Sequence, residues 1–511
     1  MSSQRSDEAL ATAPVALAPA SLPRIGAVDA RFQSFNIEMV EVIGGRFWKP
    51  YSQEVDALLQ AQPSGATPVG MDPGLFQRRP PIDLTNPRLR ALAAAVGPAF
   101  VRVSGTWANT VYFHDSDAPA PATPPEGFNG VLTRRQWQGV IDFAHAVDAK
   151  IVTSFATSAG TRDAAGVWTP AQARRFLAYT KSIGGEIAAA EFMNEPTLAA
   201  MGGAPKGYDA EAFGRDLAVF HPFLKQVAPE IVLLGPGSVG EGVPLVGALP
   251  LLRSQDLLAA AGPGFDAFSY HFYGAASKRC AAMLPGAGTS PAAALTEEWL
   301  SRTETVETFY GALRDQYEPG RSLWLTETAD AACGGNPWAS TFLDTFRYLE
   351  QLGRLAKRGV QVVIHNTLAA SDYGLLDEQT LTPRPNYWAA LLWRRLMGAT
   401  VLDASPAAAP GLHFYAHSLR DHRGGVALLV VNTDRTVAQA LTVPLPSERY
   451  TLTSPELLDH DVQLNGRDLR VGADGALPRL AGAPTAAGTL HLAPLSVTFL
   501  ALPNANNLDC R

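Results

Sequence analysis

Cysteine is scarce in this 511-residue chain: Cys280, Cys333 and Cys510 are its only three. Three thiols cannot build a disulfide framework, and with no CxxC or HExxH pattern there is no metal-site signature either. An excess of basic charge is lacking too. Lys and Arg number 41 against 48 Asp and Glu, a formal net charge of −7, which speaks against the non-specific nucleic-acid binding that clustered cations drive. Any polyanionic ligand then needs a local basic patch. No run of eighteen uninterrupted apolar residues is present, so no membrane span is expected. The Ala- and Pro-rich stretch 9–23 follows Asp7 and Glu8 and is interrupted by prolines, which makes a poor signal peptide.

What the chain does have is material for a core. Hydrophobic residues make up 47% of it and charged residues 17%, enough for one large domain and a smaller module. Short apolar runs bounded by turn residues recur eight times, at 33–40, 100–105, 150–156, 188–195, 231–237, 267–273, 322–328 and 362–368. Helical spacing fills the gaps at 87–96, 134–147, 170–182, 210–227, 297–316 and 342–358, and again at 386–397. Eight strand–helix units predict an α/β fold, a (β/α)8 TIM barrel over 31–398. Beyond Gly398 the pattern changes to β-like runs at 412–419, 426–432, 437–443, 462–464 and 490–502. These predict a β-sandwich over 399–511 whose inward face alternates with solvent. Residues 1–20 read as disordered or linker, and 118–125 as a solvated loop. Unpaired thiols are the plain reading of the cysteines. The alternative is a bridge from Cys280 to Cys333, since both would follow strands at the same barrel mouth.

Gly235, Gly237 and Gly240 formally match the dinucleotide fingerprint GxGxxG. Pro236 interrupts that loop and Pro244 and Pro250 break the helix that should follow, so it reads as a barrel loop and no nucleotide is expected. Two glutamates carry more weight. Glu195 and Glu327 each close an apolar run, at the strand mouths where barrel chemistry sits. A retaining glycosidase needs one carboxyl that stays protonated and one ionised carboxylate ~5–5.5 Å away. Asn194, one residue before the first, is placed to meet a sugar 2-hydroxyl. Tyr270, His271 and Tyr273 end the sixth run, where a phenol could orient the second carboxylate.

The stretch Leu323-Trp324-Leu325-Thr326-Glu327-Thr328, with Gly334-Gly335, Phe342-Leu343-Asp344-Thr345-Phe346, Val362-Val363, Asp372-Tyr373 and Pro385-Asn386-Tyr387-Trp388, resembles glycoside hydrolase family 79, the group of heparanases and β-glucuronidases. The resemblance implies Glu195 as general acid/base and Glu327 as nucleophile. It implies Glu38 and Thr106 at the first two strand mouths, and Asn194, His271, Tyr273 and Asn366 around the sugar hydroxyls. A uronate carboxylate would meet Tyr373 and the Gly334-Gly335 loop, and Lys278 and Arg279 a sulfate on a neighbouring sugar. Cys333 stands where relatives carry glycine, and Asn366 where glutamine is common. The family's N-terminal strand joins the sandwich, which assigns that part to 21–30.

The function so implied is a retaining endo-β-glucuronidase acting on heparan sulfate or a related glucuronate-containing polysaccharide. It would be a monomeric single chain that needs no cofactor and no proteolytic activation. A basic lining around Lys206, Lys278, Arg279 and Arg384 is expected with it, and the substrate class favours a secreted or periplasmic site of action. Two alternatives stand beside it: an exo-acting β-glucuronidase, and a glycosaminoglycan-binding protein without turnover.

Overall fold

A computed structural model describes residues 14–60, 72–243, 251–280, 284, 286–405, 410–472 and 475–511. Residues 1–13 of the expected linker, and Pro244 and Pro250, lie outside these. Eight parallel strands close into a barrel in sequence order: β1 Gln33–Glu38, β2 Ala99–Ser104, β3 Ala149–Ser154, β4 Ile187–Glu191, β5 Val232–Ser238, β6 Ala267–Ala276, β7 Leu323–Ala332 and β8 Val362–His365. Each expected run overlaps one strand. The glycines at 235 and 237 fall within β5 itself.

Along a barrel strand every second side chain points inward, so one step of two residues moves one layer up the barrel. The lowest layer is apolar. Phe100, Val152, Ala189, Leu234, Ala267, Trp324, Val362 and Ile364 form a separate buried cluster, with the Phe100 and Trp324 ring centroids 4.9 Å apart. Two residues on, the same rows turn polar: Arg102, Ser154, Glu191, Ser269, Thr326 and Asn366, all buried. The floor excludes water from below, and the layer above it is where ionisable groups gather.

The C-terminal part is built on an antiparallel sheet containing Met397–Leu402, Leu412–Leu419, Val426–Asn432, Ser496–Leu502 and Ser447–Thr453. Arg24–Ala27 pairs with Met397–Leu402 at its edge. A smaller sheet joins Gln439–Val443 and Gly488–Leu492 to Val15–Ala16. Residues 15 and 16 therefore belong to a sheet, not to a linker. The two sheets enclose a core of Leu402, Phe414, Leu428, Val430, Leu441, Leu490 and Leu500.

The large sheet departs from the expected alternation with solvent. Val426–Asn432 and Ser496–Leu502 are buried along their whole length, because the face away from the small sheet packs on the barrel helices Phe342–Lys357 and Pro385–Leu396. Leu429, Val431 and Phe499 share one core cluster with Leu349, Leu352, Leu391 and Leu392. Gly353 permits the approach, since a Cβ there would fall 2.3 Å from the Tyr415 ring.

Glu350 fastens this seam. Its Oε2 accepts from Tyr415 Oη at 2.7 Å and Arg354 Nε at 2.9 Å, and His413 Nδ1 lies 2.8 Å away. Burial pushes the Glu350 carboxyl up, but His413 and Arg354 outweigh it and hold it below the usual range. The same pairing raises the His413 imidazole against its own burial. Glu350 thus contributes stability above the ordinary carboxylate range, lost as pH falls through its lowered value. His413 contributes below the ordinary imidazole range, lost as pH rises through its raised value. At roughly pH 6, between the two ordinary values, Glu350→Ala is expected to cost about 3 kcal/mol in urea unfolding, as for other broken buried pairs. A cost near zero at that pH would show that the seam does not depend on this carboxylate.

Candidate active site

Arg102 dominates the polar layer, and each of its three guanidinium nitrogens donates to a partner. Nε and Nη2 donate to Glu191 Oε2 at 3.1 and 2.8 Å, Nη1 to Glu327 Oε2 at 2.8 Å, and Nη2 also to Asn194 Oδ1 at 2.7 Å. Glu191 Oε1 takes the hydroxyls of Ser269 at 2.9 Å and Thr326 at 2.7 Å. Burial alone would raise the Glu191 carboxyl, yet Arg102 reverses the sign and holds it far below the usual range. Glu191 is a fixed anion with both oxygens occupied.

Glu327 reaches the interior through a bulge. Tyr270 pairs with Leu325 and the next residue, His271, with Glu327, so Thr326 is an extra residue on β7. Thr326 and Glu327 therefore both turn inward, one toward Glu191 and the other toward Arg102. Tyr273 Oη donates to Glu327 Oε1 at 2.7 Å, so both oxygens of this carboxylate are oriented by donors. Burial and the neighbouring Glu327 charge raise the Tyr273 phenol well above its usual range, keeping that proton in place.

Glu195 is not on its strand. β4 ends at Glu191, and Glu195 follows in a turn with φ of 49°, a left-handed conformation that a non-glycine residue holds only when its surroundings fix it. Asn109 supplies the fixing. Its Oδ1 accepts the Asn194 N–H at 2.9 Å and its Nδ2 donates to the Asn194 carbonyl at 3.0 Å. The Glu195 side chain then meets His271, with Nδ1 3.1 Å from Oε1. On the other side of the ring, Nε2 lies 3.2 Å from Arg102 Nη2. Both Nη2 protons already go to Glu191 and Asn194, and Glu191 Oε1 lies 3.7 Å from the same ring nitrogen. Burial lowers the imidazole pKa, while Glu327 and the bonded carboxylates raise it to about 9.

One oxygen of Glu195, one of Glu327 and one His271 nitrogen lie within 4.8 Å of one another. That spacing would suit a cation, but Arg102 already supplies positive charge beside these groups. The donor set fits proton handling. Burial first, and then the Glu327 charge, raise the Glu195 carboxyl above its usual range.

The remaining expected residues divide into two groups. Asn366 Nδ2 lies 3.1 Å from Glu38 Oε1, Tyr273 Oη and Tyr373 Oη alike, which gathers Glu38, Asn366, Tyr273 and Tyr373 beside the carboxylate pair. Burial, aided by Glu327, raises Glu38 well above the carboxylate range. Thr106 opens the turn directly after β2. Gly335 adjoins Tyr373, where a Cβ would come within 3.3 Å of the tyrosine Cβ. Tyr270 instead turns outward and stacks on Tyr310.

Lys278 and Lys206 are exposed, but Arg279 and Arg384 do not line a cleft. Arg279 is 2% exposed and spends its guanidinium on the carbonyls of Cys333, Gly335 and Lys49 and on Asp372. Arg384 Nη1 donates to the carbonyls of Ser371 and Asp372. Cys280 and Cys333 form a disulfide with Cα atoms 6.3 Å apart, so the unpaired reading holds for the buried Cys510 alone. Arg102, Glu191 and Asn109 were absent from the expected site. A signal for the first was there, an arginine inside the apolar run Ala99-Phe100-Val101-Arg102-Val103.

Replacing Arg102 with methionine removes the one cation between Glu191 and Glu327. The expected loss is about 3–5 kcal/mol in urea unfolding, because two buried carboxylates are left without a counter-charge. Arg102→Lys keeps the charge without the fork and should lose less. An Arg102→Met protein as stable as its parent would refute the central role of this ion cluster.

The model for glycosyl hydrolase family 79, N-terminal domain, matches residues 81–353. The chain is 28% identical to heparanase-like protein 1 of Arabidopsis thaliana, covering 84% of this chain and 86% of that one. It is also 28% identical to the heparanase of Mus musculus, covering 84% and 88%. Among solved structures, a 4-O-α-L-rhamnosyl-β-D-glucuronidase from Fusarium oxysporum superposes with a TM-score of 0.61 over 95% of this chain and 99% of that one, at 14% identity, a likeness of fold. With the family match spanning over half of its 511 residues, the chain belongs to glycoside hydrolase family 79.

Proposed function

We propose that the protein is a retaining endo-β-glucuronidase acting on heparan sulfate or a related glucuronate-containing polysaccharide. The observation that carries the mechanism is the approach of Glu195 and Glu327 oxygens to within 4.8 Å. This is close to the ~5–5.5 Å of double displacement and short of the ~6.5–9.5 Å that leaves room for a water between the two carboxyl groups. Their environments also differ in the required sense. Glu327 has both oxygens oriented by Arg102 and Tyr273, whereas burial and the neighbouring carboxylate push Glu195 toward its protonated form.

In the first step Glu195 gives its proton to the leaving oxygen while Glu327 attacks the anomeric carbon. Ester formation removes the Glu327 charge, and with it one of the causes that hold the Glu195 proton on. Glu195 then acts as base toward water, and the anomeric configuration is kept. His271 orients Glu195 through Oε1. Asn194, held by Arg102 and Asn109, is placed for the 2-hydroxyl.

For the uronate, Tyr373 and the Gly334-Gly335 amides are the proposed anion partners. Thr106, Asn366 and Tyr273 remain for sugar hydroxyls, and Lys278 for a neighbouring sulfate. The names of the Arabidopsis and mouse relatives support the heparanase type.

Glu327→Gln is expected to lower kcat on an aryl β-glucuronide by about 10⁴-fold or more while fragments of heparan sulfate still bind. Glu195→Gln should abolish turnover of the polysaccharide but retain kcat/KM on an activated nitrophenyl glucuronide, whose leaving group needs no proton, while kcat there falls because the second step has lost its base. Since the Glu195 pKa is raised and its acid form is the active one, kcat/KM for the polysaccharide falls as pH rises through that value, whereas kcat/KM for the nitrophenyl glucuronide does not. Proton NMR of early product should show the β-anomer. Mid-chain fragments from heparan sulfate support endo action, and monosaccharide alone supports exo action. Binding without cleavage of either substrate would leave the non-catalytic alternative.

A further inference from the structure

The Cys333-Gly334-Gly335 tripeptide has each of its carbonyls held from behind. Cys333 O accepts from Ser277 Oγ at 3.0 Å and Arg279 Nη1 at 3.2 Å. Gly334 O accepts from Ser371 Oγ at 2.9 Å. Gly335 O accepts from Arg279 Nη1 and Tyr51 Oη, both at 3.1 Å. In a planar trans peptide the N–H points opposite to the carbonyl of the preceding residue. Holding the Cys333 and Gly334 carbonyls on the protein side therefore turns the Gly334 and Gly335 N–H groups to the other side. Among the described residues neither N–H has an acceptor. The next one, from Asn336, goes to Asp330 Oδ2 at 3.0 Å.

Three successive positive φ angles, 64° at Cys333, 82° at Gly334 and 86° at Gly335, make this backbone unusual. Two fasteners hold it. Arg279 bonds two of its carbonyls, stacks 3.9 Å over the Tyr51 ring and pairs with Asp372. The Cys280–Cys333 disulfide ties its first residue to the neighbour of Arg279. A cysteine at 333 adopts a left-handed conformation that glycine would reach without strain, so the bridge is maintained against a backbone preference.

We propose that the Cys280–Cys333 disulfide and Arg279 are positioning elements that aim the Gly334 and Gly335 amides at the substrate carboxylate, and so set selectivity for a uronate over the neutral sugar. This rests on the glucuronate reading given above. Neither element touches substrate. Their effect is to hold donors that would otherwise sample several directions, and donors held in place bind an anion more tightly than mobile ones.

The test compares an aryl β-glucuronide with the matching aryl β-glucoside, which lacks only the carboxylate. The parent enzyme, the Cys280→Ser/Cys333→Gly double variant, Arg279→Lys, and the parent reduced by a phosphine under native conditions are assayed, with thiols counted by mass spectrometry. Reduction of the folded parent covers the case in which a variant fails to fold, and Cys333 is half-buried, within reach of a small reductant. In the double variant and the reduced parent the glucuronide KM should rise on the order of tenfold, the cost of loosening hydrogen bonds to a charged group. The glucuronide kcat should stay within about threefold, and kcat/KM for the glucoside should not move. Arg279→Lys should shift the same parameter in the same direction. An unchanged glucuronide KM in protein shown to be fully reduced overturns the proposal, as does an equal fall on both substrates, which marks a general structural role. A parent enzyme with no preference for glucuronide over glucoside would instead overturn the glucuronate reading itself.

Discussion

The guanidinium of Arg102, sealed inside the barrel, is the interaction on which the site depends. A buried cation of this kind is tolerable only with its charge and donors met, and here the partners are Glu191, Glu327 and Asn194. The demand works in both directions. Arg102 orients Glu327, and Glu191, locked in the same fork, is a second carboxylate partner. In the proposed double displacement the arginine would thus keep a partner at every stage.

The barrel geometry makes this arrangement inexpensive to specify. An inward row that begins with Phe100 or Trp324 arrives two residues later at Arg102 or Thr326, so apolar floor and polar layer come from one alternation. Only two positions need more than that. Glu327 requires the bulge on β7 to face inward beside Thr326, and Glu195 requires a left-handed turn held by Asn109. These departures from regular geometry bring together two carboxylates that straight strands would leave on different layers.

Much of this was legible in the sequence. The eight barrel strands stand out because buried parallel strands read as compact apolar runs, and Glu195 and Glu327 because an ionisable residue closing such a run is conspicuous. The extent of the core formed by Val426–Asn432 and Ser496–Leu502 was less so, since a sheet packed on both faces loses the alternation that marks a half-exposed one. Arg102 escaped notice for a related reason: within Ala99–Ser104 an arginine looks like an interruption, and its meaning lies in Glu191 and Glu327, far along the chain. Arg279 misled in the opposite way. A basic pair after a strand suggests an anion site, yet which member faces solvent depends on the carbonyls folded over it, and those belong to the loop closed by Cys333.

The acidic chain and the anionic substrate proposed for it are reconciled by where the cations went. Arg102, Arg279 and Arg384 are all consumed inside the protein, by carboxylates or by loop carbonyls. What they leave for the proposed uronate site is neutral: peptide N–H groups, the Tyr373 phenol and the Asn366 amide. Such donors recognise one carboxylate by direction and distance, whereas an exposed lysine offers a diffuse attraction that salt screens. In that proposal an interior cation serves recognition indirectly. It fixes the backbone whose neutral edge would make the contact, and a net charge of −7 is then no obstacle to binding an acid sugar.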